Sequence, residues 1–321
     1  MQVLNRSSGS LVAAAALVMC GLAFPLAPLA AQSSATPKSF RVEVTGRGRP
    51  MILIPGYASS GNTWKTTVAR YQDTFRCHVL TLAGFAGVPA IPEPLLATVR
   101  SELATYIRGE RLDRPVIVGH SLGGTLALAL AAEHPDLIGP LVIVDSLPFL
   151  AGAQMQAKTL EDARPGIAAM KAAMLTQTPQ QYEAFVKSGV ATNYMVTSPA
   201  DLELIKQWGL ASDQRAGAES MAELMGMDLR ENVARITAPT LVLGAWAGLH
   251  EQLKQYNITV TREQIAQTFE AQFAKLPKLH FAMAESSRHF IMLDDPQWFF
   301  QQVDTFVANP DLAVRTRGFD R

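Results

Sequence analysis

Cysteine is nearly absent: the 321 residues hold two, Cys20 and Cys77. Cys20 lies in an N-terminal segment expected to be removed, so the mature chain cannot close an intramolecular disulfide. Its stability must come from core burial. Charge is scarce too, at 17% of residues, and it balances to a formal net of +0. Such a chain carries no electrostatic footprint for nucleic acid or for an anionic membrane surface. No histidine pair or cysteine cluster has metal-ligand spacing. Glycine-rich phosphate loops are also missing: Gly84-Phe85-Ala86-Gly87 and the glycines around Gly119 and Gly123 lack the flanking features of a nucleotide site. No cofactor and no metal are expected. What is abundant is apolar material, at 48% of residues, enough for one large core with or without a smaller accessory element.

The N-terminus stands apart. Arg6 is the only charge before an apolar stretch from Leu11 to Ala30, which is broken by Pro25 and Pro28. Small residues Ala30 and Ala31 then give way to Gln32-Ser33-Ser34. This pattern reads as a secretory signal over 1–31, cleaved near Ala31 and followed by a polar linker over 32–39. The prolines and the small-residue end argue against a transmembrane anchor. Lipoprotein anchoring at Cys20 is the lesser alternative, because Met19 occupies a place where a small residue is expected. The protein is thus expected to be secreted or periplasmic, with no stable membrane insertion after cleavage.

From Phe40 onward, short apolar runs alternate with helix-period segments. Phe40 to Thr45, Met51 to Pro55, His78 to Leu82, Pro115 to Gly119, Leu141 to Asp145, Thr240 to Gly244 and Lys278 to Ala284 read as strands, and most suit a sheet buried on both faces. Thr63 to Tyr71, Leu95 to Arg108, Leu122 to His134 and Pro296 to Val307 read as helices. Alternation of this kind predicts an α/β fold with a mostly parallel, doubly wound sheet. One interval breaks the rhythm. From Leu147 to about Arg235 there is no clear strand, only amphipathic stretches carrying Met170, Met174, Met221, Met225 and Met227. Either this is extra helical core, or it is a lid over an apolar pocket, for which methionine is an adaptable lining. Its position between two strands favours the lid. The expected organisation is a core over 40–146, a helical lid over 147–235 and the rest of the core over 236–321. A second insertion, Ala245 to Leu276, is expected to hold a helix from Thr261 to Lys275.

The strongest chemical signal is Gly119-His120-Ser121-Leu122-Gly123, a G-x-S-x-G sequence after the Val116-Ile117-Val118 run and before an Ala/Leu-rich helix. In that context a sharp strand-to-helix turn projects a strained serine above the sheet, and small neighbours make the turn possible. A serine hydroxyl needs a base. Of the six histidines, His289 follows the last expected strand and precedes a helix that Asp295-Pro296 would cap and start. His78 and His280 fall inside strand patterns, His134 ends a helix, and His120 sits beside the nucleophile with its side chain pointing elsewhere. His250, in the second insertion, is the minor alternative.

Taken together, Leu53-Ile54-Pro55-Gly56-Tyr57, the elbow at Ser121, and His289 before Asp294-Asp295-Pro296 resemble the α/β-hydrolase superfamily over essentially the whole mature chain. The resemblance implies a lidded α/β-hydrolase fold. It also implies an oxyanion hole made by the backbone N–H groups of Leu122 and Tyr57. The chain departs from the common pattern at the acid. Many relatives place Asp after the penultimate strand, but here Leu241-Val242-Leu243-Gly244-Ala245-Trp246-Ala247-Gly248 has no carboxylate. Asp145, at the end of the preceding strand, is the expected third member, as in some α/β-hydrolases, and Glu251 is the alternative. Ser121 at the elbow argues against dehalogenase and epoxide hydrolase chemistry, which use Asp there.

The expected activity is hydrolysis of a small or medium apolar ester or lactone through an acyl-enzyme on Ser121. The rival readings are an amidase or peptidase using the same triad, a cofactor-free perhydrolase or oxygenase, and a non-catalytic ligand-binding protein of this fold. Nothing in the sequence sets an oligomeric state.

Overall fold

The computed structural model describes residues 36–311. The expected signal segment and the start of the linker lie outside the described residues.

Among the described residues, seven strands form one sheet in the order β1-β3-β2-β4-β5-β6-β7. They are β1 (Phe40–Gly46), β2 (Arg49–Ile54), β3 (Phe75–Leu82), β4 (Val116–His120), β5 (Leu141–Val144), β6 (Thr240–Gly244) and β7 (Leu279–Met283). Only β1 runs antiparallel, along β3, with Phe40 opposite Leu82 and Gly46 opposite Arg76. The pairs from β3–β2 through β6–β7 are parallel. Each expected run therefore forms a strand, with one informative change. β5 stops at Val144, because Asp145 takes φ +45° and turns the chain out of the sheet.

Side chains of the central strands divide by parity between two cores, as a period of two requires. On one face Ile52, Ile54, Ile117 and Ile143 pack against α2 (Leu95–Gly109), α3 (Leu122–Glu133) and α10 (Arg262–Gln272). On the other, Met51, Leu53, Val118 and Leu243 pack with Trp64, with Tyr71 of α1 (Lys65–Tyr71), and with Phe299 and Val303 of α12 (Pro296–Ala308). Helix α3 is apolar all round and buried from Leu122 to Ala132, which marks it as the central helix beneath the site. The Asp295 carboxylate accepts from the Trp298 N–H at 3.0 Å and Pro296 opens α12, as the cap signature predicted. A short α11 (Ile291–Asp294) precedes it, where no helix was expected.

Between β5 and β6 the chain is helical: α4 (Leu150–Gln154), α5 (Leu160–Thr176), α6 (Pro179–Ser188), α7 (Pro199–Leu210) and α8 (Gln214–Met225). Capping boxes at Thr159/Asp162 and Thr178/Gln181 start α5 and α6, and α6 and α7 open on Pro179 and Pro199. Met225 is buried with Phe149, Ala151 and Ala163, and Met155, Met170 and Met221 pack around them. Beyond β6 lie α9 (Ala247–Lys254) and α10; the latter begins one residue after Thr261 and stops at Gln272, short of the expected Lys275. No helix among the described residues is long and apolar enough to cross a membrane.

Candidate active site

Ser121 sits in the turn from β4 to α3 with φ +53° and ψ −121°, a backbone conformation that L-residues avoid. The strain is held by main-chain bonds on both sides. The Ser121 N–H donates to the Val144 carbonyl at 2.9 Å, and its own carbonyl accepts from Gly124 at 2.8 Å and Thr125 at 3.1 Å. The neighbours must be small for steric reasons. A Cβ on Gly119 would lie 2.4 Å from the Gly123 carbonyl oxygen, and one on Gly123 would lie 2.4 Å from that of Ile54. The close approach at Gly123 packs the loop after β2 directly against the first turn of α3.

That loop carries Gly56 and Tyr57. A Cβ on Gly56 would lie 3.2 Å from the Ser121 Cβ, so the loop abuts the nucleophile. The Tyr57 carbonyl accepts from the Ser59 hydroxyl at 3.0 Å. Among the hydrogen bonds of the described residues, neither the Tyr57 N–H nor the Leu122 N–H has a protein acceptor. Leu122 is fully buried at the N-terminus of α3, where free N–H groups and the helix dipole both favour negative charge. Burial pushes the Tyr57 phenol up, with nearby Tyr182 adding to the effect. Its ring meets Phe85 edge-on at 5.4 Å.

His289 lies in the loop between β7 and α11. Its Nδ1 is 2.6 Å from the Asp145 Oδ2, and the second carboxylate oxygen accepts the Ala245 N–H at 3.0 Å. The end of β6, where the common pattern puts the acid, thus supplies a backbone donor that fixes the acid arriving from β5. Glu251 is committed elsewhere: it pairs with Arg288 at 2.5 Å. His250 Nδ1 donates to the Val260 carbonyl at 2.8 Å, within the second insertion. The structure therefore brings Ser121, Leu122 and Tyr57 to the C-terminal ends of the central strands β2 and β4, with Asp145, just after β5, paired to His289. It leaves Glu251 and His250 outside that pairing.

Two features of this site were not anticipated. Arg288 Nη1 donates to the carbonyls of Asn193 (3.1 Å) and Val196 (2.6 Å), and the Arg288 N–H donates to Asp294 at 2.8 Å. Asp294 also accepts from the Thr197 N–H (2.7 Å) and hydroxyl (2.9 Å), and the Phe290 N–H bonds the Met195 carbonyl at 3.0 Å. Residues 193–197 of the helical insertion are thereby clamped to the His289 loop. The sequence signal was present, as an arginine directly before the candidate base, but it named no partner. The second feature is His120, whose Nε2 is 3.0 Å from the His289 carbonyl. Burial pushes its imidazole pKa well below the usual histidine value, helped by the adjacent His289.

Residues 51–302 match the model of the Alpha/beta hydrolase family, a span that covers most of the chain. The chain belongs to that family. Within its relatives, a pimeloyl-[acyl-carrier protein] methyl ester esterase of Vibrio vulnificus (strain YJ016) is 26% identical over 276 residues, which is 83% of this chain and 97% of the relative. A putative carbamate hydrolase, RutD, of Yersinia enterocolitica is 26% identical over 215 residues, 63% of this chain and 73% of the relative. Among solved α/β-hydrolase structures, the enol-lactonase from Burkholderia xenovorans LB400 superposes with a TM-score of 0.66 at 16% identity. That match covers 84% of this chain and 96% of the lactonase, and it speaks to the fold.

Proposed function

We propose that this α/β-hydrolase cleaves carboxylic esters or lactones through an acyl-enzyme on Ser121. The observation that carries the reading is the 2.6 Å contact between Asp145 and the His289 Nδ1, next to a strained serine flanked by two unengaged backbone donors. Asp145 accepts the Nδ1–H, which leaves Nε2 unprotonated and free to act as base. Ser121 Oγ attacks the carbonyl carbon as its proton passes to Nε2. The carbonyl oxygen becomes an oxyanion against the N–H groups of Tyr57 and Leu122, where loss of one donor typically costs about 3–4 kcal/mol of barrier. Imidazolium then protonates the leaving alkoxide, and the C–O bond breaks to give the acyl-enzyme and the alcohol. Water repeats the sequence: His289 takes its proton, the second tetrahedral intermediate collapses, and Ser121 recovers its hydrogen as the acid departs.

Substrates of small or medium size with apolar acyl groups suit the apolar, methionine-containing helical insertion between β5 and β6. A second reading comes from the Vibrio relatives, whose name specifies an acyl-carrier-bound methyl ester. Export by a signal over 1–31 favours free esters instead. A panel of p-nitrophenyl esters, lactones, free methyl esters and carrier-bound methyl esters separates these readings on the mature protein. Labelling by a fluorophosphonate probe, lost in Ser121→Ala, tests the nucleophile. No adduct on folded protein would sink the enzyme reading. Mass analysis of the protein recovered from the periplasm or medium tests cleavage near Ala31.

A further inference from the structure

His120 sits where three parts of the candidate site meet. It is adjacent to Ser121 in the chain and fully buried. Its Nε2 lies 3.0 Å from the His289 carbonyl oxygen, its ring centroid 4.5 Å from that of His289, and 4.4 Å from that of Phe290. A carbonyl only accepts, so Nε2 carries the hydrogen and Nδ1 of the neutral ring is a bare acceptor. Among the described residues that Nδ1 has no hydrogen-bond partner. It would lie 2.9 Å from a Cβ on Gly56, so the ring also rests against the backbone of the loop that presents the Tyr57 N–H.

A buried acceptor without a partner costs stability. An apolar side chain of similar volume would avoid that cost, and the fold does not need an imidazole here to fill space. We propose that His120 is a positioning residue for hydrolysis: through its Nε2–H it fixes the backbone of His289, and through its ring face and edge it sets the spacing of the base, the elbow and the Gly56–Tyr57 loop. The proposal rests on the serine-hydrolase reading above. Burial keeps the ring neutral, so the donor to the carbonyl persists while His289 itself gains and loses protons.

The test uses His120→Gln, His120→Asn and His120→Leu in the full mature protein. The readouts are kcat and KM on a chromogenic ester, the rate of fluorophosphonate labelling, and Tm. Glutamine places an amide donor near the Nε2 position and retains at least a third of the wild-type kcat. Asparagine is too short to reach the carbonyl and loses tenfold or more. Leucine removes donor and orphan acceptor together, so its Tm stays within a few degrees while kcat and labelling rate fall ~20–100-fold with KM within twofold. Equal activity in the glutamine and asparagine variants overturns the proposal, as does a leucine variant that labels at the wild-type rate. If leucine does not fold, the glutamine–asparagine comparison decides alone. A wild-type protein that no probe labels overturns the hydrolase reading and this proposal together, whereas normal wild-type labelling with indifferent variants overturns only the role of His120.

Discussion

Replacing Asp145 by Asn isolates the weakest element of the sequence pattern with little disturbance of the fold. Asp145 stands at φ +45°, and asparagine is among the few L-residues that tolerate that region. The wild-type carboxylate accepts twice, from the Ala245 N–H at 3.0 Å and from His289 Nδ1 at 2.6 Å. A carboxamide can accept at only one of these positions and must present NH2 at the other. If its oxygen keeps Ala245, its NH2 faces Nδ1 and forces the hydrogen of the ring onto Nε2, where it cannot take the serine proton. If the amide turns over, NH2 meets the Ala245 N–H and the loop after β6 loses its anchor. Loss of the correct tautomer costs ~10³–10⁴ in kcat, or about 4–5.5 kcal/mol of barrier. Stability should change by no more than about 1–2 kcal/mol, since the side chain is isosteric. The assay is kcat/KM on a chromogenic ester together with urea denaturation. A folded Asp145→Asn protein within tenfold of wild-type turnover would refute the role assigned to this carboxylate.

Glu251→Gln provides the contrast. It weakens a partly exposed pair with Arg288, worth about 0–1 kcal/mol, and leaves kcat/KM within about threefold; a hundredfold loss in the same ester assay would move the acid to Glu251. Gly123→Ala drives a Cβ to 2.4 Å from the Ile54 carbonyl oxygen and 2.6 Å from that of Pro55, both backbone atoms. It should destabilise by about 2–4 kcal/mol by urea denaturation, and a change under 1 kcal/mol would mean that the elbow yields more easily than its packing implies. Acid should weaken the fold through His78, which burial pushes down to about 4, with Arg76 adding to the effect. The native state then binds fewer protons than the unfolded chain between pH 6.5 and 4, so its contribution is complete above pH 6.5 and is lost as pH falls. At about 1.4 kcal/mol per pH unit, His78→Phe should lose roughly 2–3 kcal/mol less than wild type between pH 7 and 4.5. Parallel decline of the two proteins would contradict that account.

Much of this architecture was legible because its signals are local. Continuous apolar runs such as Thr240 to Gly244 have few alternatives to a strand buried on both faces, and Asp295-Pro296 marks a helix start by capping chemistry alone. Ser121 was legible because its flanking glycines form a recognisable motif after a strand: Gly119 is forced by contacts with Gly123 and Gly124 within the turn, although Gly123 is forced by the distant backbone of Ile54 and Pro55. Asp145 was harder, since an acid at a strand end has many ordinary uses; what distinguishes it is a turn with positive φ and a contact to a residue 144 positions later. The clamp formed by Arg288 and Asp294 was illegible because, the Thr197 hydroxyl apart, its partners in residues 193–197 are main-chain carbonyls and amides, which leave no mark on the side-chain pattern. His120 was expected to point away from Ser121, and it does, but that its ring would reach the base loop could not be read from adjacency.

The same clamp limits how this fold can be recombined. A chimaera that exchanged the helical insertion at its chain boundaries, near 147 and 235, would keep every residue of the catalytic core and still discard the carbonyls of Asn193, Met195 and Val196 and the amide of Thr197. Arg288 would keep only Glu251, Asp294 only the Arg288 N–H, the Phe290 N–H would lose its acceptor, and the histidine loop between them would lose its tie to the insertion. The insertion and the residues from Arg288 to Asp294 form one structural unit, and a graft that keeps the histidine loop in place must transplant both.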